Sequence, residues 1–389
     1  MTIRIDEEYL VSTLAQLVQI NSTNPSLSPD GAGEAEIAAF VAGALRDLGL
    51  AVTAWELAPG RWNVVGRLAG SGHGRSRSLL LNAHLDTVGV TGMAEPFSGA
   101  VRDGRLYGRG SQDMKGSLAA MLAAAKALVQ SGARLDGDVL VTAVADEEHS
   151  SIGADDLVAK GFRATAAIVT EPTDLAVCLA HRGFIWYGVE TFGRAAHGSR
   201  YREGIDANMH MGRFLAELAQ LEAELRARPS HPLVAVPSLH AATLHGGTEV
   251  SVYAAHCRLQ IERRTVPGET VESATAELQG IIDRLSAADP TFRATVTPTF
   301  SRPPFAVNET AEIVQAVTQA ATTRLGRKPD VIGQLFWTDA AIFAAAGMET
   351  MLIGPTGHGL HSAEEWVDLA SVVDLAAILA DTAVRYLNR

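Results

Sequence analysis

The 389-residue sequence predicts an α/β domain with a mostly parallel mixed sheet, into which a smaller two-layer α+β domain is inserted. Three observations lead to this prediction. Buried-type strands alternate with helices in the first part of the chain, amphipathic helices and alternating strands follow, and the α/β pattern then returns. These changes of pattern predict boundaries at 1–181 and 299–389 for the first domain and 182–298 for the insertion.

The elements of the first part follow from apolar periodicity and from turn residues. Helices are predicted at 6–20 and 31–49, the second ended by Gly49, and a long Ala/Leu-rich helix follows Met114. Near-continuous apolar runs at 138–146 and from Ala166 predict strands covered on both faces, with a short helix at 155–160 between them. Further strands are predicted at 51–57, 62–68 and 78–83, and the Gly/Ser/Arg-rich stretch between the last two predicts a hairpin loop.

The remaining elements divide between the insertion and the returning α/β part. The insertion is predicted to hold strands at 183–192, 251–263 and 292–300 and helices at 205–226 and 269–286. After it, helices are predicted at 309–325, at 340–346 and from Val367, with strands near Val331 and at 350–353.

Composition excludes several classes of function. The net charge of −12 is scattered along the chain, so neither nucleic acid nor an anionic membrane is an expected partner. The two cysteines, Cys178 and Cys257, are too few for a disulfide framework or a Cys-rich zinc site. We find no signal-peptide pattern and no apolar stretch long enough to cross a bilayer, and we therefore expect a cytoplasmic protein.

Two motifs in the first part of the chain place His and Asp at strand or loop ends. In LLLNAHLDTV, His84 and Asp86 point to the same side of a strand, which suits a metal-binding imidazole and a carboxylate that orients it. In GRGSQDMKG, Asp113 stands between a glycine-rich turn and a helix. The glycines fit neither a dinucleotide fingerprint nor a phosphate-binding P-loop. Taken alone, His84 and Asp86 could be a structural histidine beside a solvated acid, and Asp113 could be a helix cap.

Acids and histidines follow three further segments. The strand before ADEEHS ends in Asp146, Glu147 and Glu148, and adjacent glutamates point different ways, so one could bind a metal ion while the other acts as a base. Glu171 follows the next buried strand. In GPTGHGLHSAEEW, the candidates are His358 and His361. Nitrogen and oxygen ligands without thiolate suit a catalytic zinc or a similar divalent ion, and their number suffices for two metals that share a carboxylate.

The motifs HLDTV, GRGSQDMKG, ADEEHS, TEPT and HSAEEW resemble the successive signatures of the M20 family of metallopeptidases, from about residue 7 to the end. That family includes acetylornithine deacetylase, succinyl-diaminopimelate desuccinylase, aminoacylases and glutamate-releasing carboxypeptidases. The resemblance implies a zinc-exopeptidase-like catalytic domain, an inserted dimerisation or lid domain, a homodimer, and two divalent ions, of which zinc is expected before cobalt or manganese.

The resemblance also implies a role for each matching residue. The metal ligands would be His84 and Glu171 for one ion, Glu148 and His361 for the other, and Asp113 bridging both. Glu147 would be the general base, Asp86 the partner of His84, and the peptide bond Asp113–Met114 cis. In the insertion, His197 would reach a neighbouring subunit's active site and Arg264 would bind the substrate carboxylate. Ser251 stands where many relatives have an Asn that helps to hold the substrate, so the resemblance makes Ser251 a candidate substrate contact. His149 stands where many relatives have Gly.

The function predicted on this basis is hydrolysis of the amide bond of an N-acyl amino acid, of the acetylornithine or succinyl-diaminopimelate type. The alternatives are a dipeptidase or carboxypeptidase of the same family, which would act on short peptides, and a non-catalytic homologue used for binding. The last is disfavoured because all five proposed ligands and the base are present.

Overall fold

The computed structural model describes residues 3–72 and 77–388. Within these ranges the chain forms nine helices: α1 (Glu7–Gln19), α2 (Ala35–Asp47), α3 (Gly116–Ser131), α4 (Ile152–Ala159), α5 (Ala207–Arg226), α6 (Val271–Ala288), α7 (Glu312–Leu325), α8 (Ala340–Ala345) and α9 (Leu369–Leu387). A short π-helical turn, Ser111–Lys115, precedes α3.

The same residues form seventeen strands: β1 (Ala51–Ala58), β2 (Arg61–Leu68), β3 (Ser78–His84), β4 (Ala100–Arg102), β5 (Arg105–Tyr107), β6 (Asp138–Val144), β7 (Ala166–Val169), β8 (Val177–His181), β9 (Gly183–Phe192), β10 (Ser238–Gly246), β11 (His256–Thr265), β12 (Arg293–Arg302), β13 (Phe305–Ala306), β14 (Val331–Gln334), β15 (Glu349–Leu352), β16 (Gly357–His358) and β17 (Trp366–Asp368). The chain divides into two compact units. Unit 1 comprises Met1–Leu179, Val307–Ile332 and Thr338–Arg389, and unit 2 comprises Ala180–Ala306 and Gly333–Trp337.

Unit 1 is built on a mixed sheet with the strand order β1-β2-β6-β3-β7-β15-β8. The central pairs β6–β3, β3–β7 and β7–β15 are parallel, whereas β1–β2 and β2–β6 are antiparallel. The central strands are buried along almost their whole length, as expected where helices cover both faces of a sheet. The predicted α/β class with a mixed sheet is therefore confirmed.

The predicted hairpin between β2 and β3 is wrong, because β6 lies between these two strands. A strand as apolar as β3 is best accommodated at the centre of the sheet, where it gains a parallel partner on each edge. Residues 73–76, at the middle of the predicted hairpin loop, lie outside the described residues.

A second, small antiparallel sheet in unit 1 has the order β16-β17-β5-β4. Its strands are two or three residues long, too short to show a period in the sequence. The sheet joins distant parts of the chain, since Trp366 of β17 pairs with Tyr107 of β5. It thereby brings the loop after β5, which carries Asp113, next to the loop between β16 and β17, which carries His361.

Unit 2 is an antiparallel sheet with the order β10-β11-β9-β12, packed against α5 and α6. Its core includes Tyr187, Phe214 and Phe292. The edge strand β10 was not predicted, because most of its residues are exposed on both faces and show no alternation. The strand predicted from Ser251 begins only at His256, so Ser251 lies in a loop.

No described helix is both long enough and apolar enough to cross a membrane.

Candidate metal centre

Three parallel strands of unit 1 end next to one another and bring acids and an imidazole to one edge of the sheet. His84 is the last residue of β3 and pairs in register with Val144, the last residue of β6. Glu147 and Glu148 follow β6, and Glu171 follows β7. The carboxyl edge of a parallel sheet is the usual place of the active site in α/β proteins. This topology explains why side chains far apart in sequence converge here.

Two overlapping sets of side chains at this edge have the spacing of metal ligands. The ligand atoms of His84, Glu147 and Glu171 lie within 4.8 Å of one another, and so do those of His84, Asp113 and Glu148. Asp113 reaches the edge from the π-helical turn before α3, and its peptide bond to Met114 is cis, as predicted.

Asp113 lies between two histidines. One carboxylate oxygen, Oδ1, is 3.0 Å from His84 Nε2, and the other, Oδ2, is 3.4 Å from His361 Nε2. His361 Nε2 is also 2.9 Å from Glu148 Oε2. A carboxylate whose two oxygens face two imidazoles is well placed to bridge two cations. The other candidate in this loop, His358, stacks on the ring of Trp366 with the centroids 5.9 Å apart.

Asp86 contacts His84 through its backbone and not, as predicted, through its carboxylate. His84 Nδ1 is 2.8 Å from the backbone carbonyl oxygen of Asp86, whereas the carboxylate of Asp86 is 3.6 Å away, beyond hydrogen-bond distance. That carboxylate instead accepts hydrogen bonds from the backbone N–H groups of Glu147, at 3.1 Å, and Glu148, at 3.2 Å. Asp86 therefore orients His84 through its backbone and fixes the paired glutamates through its side chain.

The buried polar network that lies behind Asp86 was not predicted from the sequence. Asn24 donates to the carboxylates of Asp86, at 2.8 Å, and Asp146, at 3.0 Å. Its own carbonyl oxygen accepts from Arg61, which also pairs with Glu34 at 2.6 Å and Asp146 at 2.9 Å. Arg61 is 5 % exposed, so this charge is neutralised inside the protein. No motif marks these residues, because the contacts join segments far apart in the chain.

The electrostatics of the edge are those of crowded, buried acids. Burial, followed by repulsion from neighbouring carboxylates, raises the pKa of Glu147 and Glu171 well above the usual range and that of Glu148 to about 7. Burial also disfavours ionised Asp113, but hydrogen bonds from His361 and His84 outweigh it and lower the pKa of Asp113. Contacts with Asp113 and Glu148 raise the pKa of His361 to about 10.

A comparison with protein families shows to which family the chain belongs. The model of peptidase family M20/M25/M40 matches residues 80–385, a range that includes the candidate ligands and Glu147: His84, Asp113, Glu147, Glu148, Glu171 and His361. The chain belongs to this family. It is therefore an M20 hydrolase that acts on amide bonds.

Individual relatives of this M20 hydrolase cover nearly its whole length. It is 27% identical to N-formyl-4-amino-5-aminomethyl-2-methylpyrimidine deformylase from Bacillus subtilis, over 97% of this chain and 95% of the relative. It is 31% identical to acetylornithine deacetylase from Salmonella arizonae, over 90% of this chain and 89% of the relative.

Solved structures share the fold at low sequence identity. An aminopeptidase from Bacillus cereus superposes with a TM-score of 0.79 at 18% identity, covering 99% of this chain and 100% of the other. A dinuclear metal binding peptidase of the M20 family from Bacillus subtilis gives a TM-score of 0.76 at 15% identity, with 98% of each chain covered.

The donor set of the M20 hydrolase fits divalent cations. Glu148 Oε1 and Glu171 Oε1 are buried, and among residues 3–72 and 77–388 neither has a hydrogen-bond partner. Buried carboxylate oxygens without a partner are costly unless a cation or donor contacts them. Imidazole nitrogens and carboxylate oxygens are ligands suited to zinc and similar ions.

The three residues predicted to contact substrate all lie in unit 2. His197 is exposed, and its Nδ1 is 2.9 Å from Ser199 Oγ. Its backbone forms an isolated antiparallel β-bridge with Val252. The neighbouring Gly198 donates a hydrogen bond to the carbonyl oxygen of Ser251 at 2.7 Å, so His197 and Ser251 share one loop cluster. Arg264, in β11, pairs with Glu262 and lies over the ring of Phe184, 5.3 Å from its centroid.

Proposed function

We propose that this M20 hydrolase removes a small acyl group from the nitrogen of an N-acyl amino acid or a related N-acylated amine, with two zinc ions bound. The observation that carries the proposal is the convergence of six side chains at one sheet edge: His84, Asp113, Glu147, Glu148, Glu171 and His361. The two named relatives support the choice of substrate, since one is a deformylase and the other a deacetylase.

In this proposal the five ligands hold the ions and Glu147 moves the proton. Two divalent ions, when bound, polarise the amide carbonyl and lower the pKa of a water molecule. Glu147 takes a proton from the attacking water and delivers it to the departing nitrogen, which turns a poor leaving group into a neutral amine. Asp86 contributes by fixing the backbone of Glu147 through a hydrogen bond of 3.1 Å.

The role of Glu147 needs a direct test, because its carboxylate also groups with His84 and Glu171 at metal-ligand spacing. We expect Glu147→Gln to keep two zinc ions per chain while kcat falls by about 10²- to 10⁴-fold, the usual contribution of a general base. The measurements are zinc content and hydrolysis of N-acetylornithine, with the exposed Glu8→Gln as the matched control. Loss of one zinc equivalent in Glu147→Gln would assign Glu147 as a ligand instead.

A peptidase of the same family is the second candidate, supported by the shared fold with an aminopeptidase and a metallo-carboxypeptidase. A panel of formyl-, acetyl- and succinyl-amino acids beside dipeptides separates the two, assayed before and after chelation. Preferential cleavage of dipeptides would replace the deacylase proposal. Absence of all hydrolysis with zinc supplied would favour a non-catalytic binding role.

We further propose that unit 2 is a dimerisation or lid domain and that the protein acts as a cytoplasmic homodimer. His197 would assist the substrate carbonyl of a partner subunit, and Arg264 and Ser251 would contact the rest of the substrate. If so, Arg264→Lys raises KM for substrates with a free carboxylate more than for their amides. The same fold-change in KM for the carboxylate substrate and for its amide would contradict that role for Arg264.

A further inference from the structure

Glu365 is a buried acid that contacts the whole turn leading to Asp113. Its side chain is fully buried, although Glu364 beside it is exposed. One oxygen, Oε1, accepts hydrogen bonds from the backbone N–H groups of Gln112, at 2.9 Å, and Asp113, at 3.1 Å. The other, Oε2, accepts from the N–H of Gly110 at 3.0 Å. A single carboxylate therefore holds three backbone N–H groups of this turn.

Arg109 extends this contact to two further loops. Its Nη1 pairs with Glu365 Oε2 at 2.6 Å, its Nη2 donates to the carbonyl oxygen of Ser362 at 2.8 Å, and its Nε donates to that of Gly89 at 3.1 Å. Ser362 directly follows His361. The planar guanidinium, which is 3 % exposed, thus connects Glu365 with the loop of His361 through two contacts and with Gly89 through a third.

The chemistry of both side chains is specific. The ionised carboxylate of Glu365 only accepts hydrogen bonds, which matches four donors. An amide in its place would direct two of its own N–H bonds toward backbone N–H groups and leave buried donors without partners. A lysine in place of Arg109 would keep the charge, but an ammonium on a flexible stem cannot reproduce a planar fork directed at three acceptors.

We propose that Glu365 and Arg109 are positioning residues that hold Asp113 and His361 at the separation the two metal ions require. In this proposal neither side chain contacts the substrate or an ion. Both act through the backbone of the two loops. This inference rests on the proposed function, because it presumes that Asp113 and His361 are ligands. It adds a pair of residues to which neither the sequence motifs nor the ligand geometry assigned a role.

The test compares Glu365→Gln with Glu364→Gln, which changes the adjacent and exposed acid in the same way. Zinc affinity is measured by competition with a chromophoric chelator. The other measurements are kcat and KM for N-acetylornithine and the visible absorption spectrum of the cobalt-substituted protein. We expect Glu365→Gln to weaken binding of one zinc equivalent by about 10- to 100-fold, as loss of a group that orients a ligand usually does. We also expect a lower kcat, a KM near that of wild type and an altered cobalt spectrum.

The outcomes separate this inference from the proposed function. Folded Glu365→Gln that binds both zinc ions as wild type does, with wild-type kcat and spectrum, would overturn the positioning role alone. Equal losses of zinc affinity and kcat in Glu364→Gln and Glu365→Gln would also overturn the positioning role. Arg109→Lys, judged by the same criteria, replaces Glu365→Gln should the latter not fold. Wild-type protein that binds no zinc would instead remove the proposed function, and this inference with it.

Discussion

Replacing Asp86 with alanine separates its backbone role from its side-chain role. The backbone carbonyl that contacts His84 Nδ1 at 2.8 Å remains in Asp86→Ala. The carboxylate that accepts from the N–H groups of Glu147 and Glu148 and from Asn24 is lost. The variant therefore leaves the orientation of His84 largely intact and releases the two glutamates that follow β6.

The cost can be estimated from these three contacts. A hydrogen bond to a charged group contributes about 1.5 kcal/mol at the lower end of the usual range, so three amount to roughly 4.5 kcal/mol. Part of this is offset, because removing a buried negative charge relieves its repulsion of Glu34, whose pKa is raised first by burial and then by Asp86. We expect a net loss of about 3 kcal/mol in the free energy of unfolding.

Urea unfolding of the metal-free protein measures this loss without a contribution from bound zinc, with the exposed Asp30→Ala as control. Because Glu147 is no longer held, kcat should also fall. An Asp86→Ala protein whose metal-free stability equals that of wild type, but whose zinc affinity is strongly reduced, would refute this reasoning. It would show that the carboxylate acts mainly on His84.

Three further predictions address packing, pH and metal. A methyl group on Gly354 would overlap the carbonyl oxygen of Glu171, so Gly354→Ala should lower unfolding stability by about 1–3 kcal/mol in urea, whereas Gly212→Ala, with open space, should not. Burial, followed by the charge of Arg213, lowers the pKa of His210. The unfolded state therefore binds the proton more readily, and the free energy of unfolding falls as pH drops through about 6.5. His210→Gln should flatten this fall, and equal slopes of unfolding free energy against pH in wild type and variant would contradict the prediction. Chelation should abolish hydrolysis and lower the midpoint of thermal unfolding, with zinc restoring both, and a midpoint insensitive to chelator would argue against tightly bound zinc.

The sequence predicted the sheet edge well because its signal is local. His84, Glu148 and Glu171 each stand at or just after the end of an apolar strand, so burial and chemistry change within a few residues. Parallel pairing then brings those ends together without further information. The same reasoning located the long buried helix α3, which is apolar on all sides and lies at 116–131.

Long-range contacts were not predictable in the same way. Alternation along a strand led us to expect that the Asp86 carboxylate contacts His84. Alternation shows which side of the strand a residue faces, but it does not show which backbone N–H groups approach from another strand end, as those of Glu147 and Glu148 do. Glu364 and Glu365 are adjacent and identical in type, and only the second is buried, where its side chain contacts the distant turn at 109–113. Arg61 and Asn24 contact acids that follow other strands, and no spacing rule indicates such a contact.

The small sheet formed by β16, β17, β5 and β4 has a consequence for biosynthesis. Since β17 is made after the whole of unit 2, the turn that carries Asp113 emerges from the ribosome long before Glu365 can fix it. A nascent chain that has completed α3 and β7 therefore presents His84, Asp113 and Glu171 without His361. If His361 is a metal ligand as proposed, hydrolysis must await the returning segment, and a translation product interrupted in unit 2 should be inactive even where its first strands have folded.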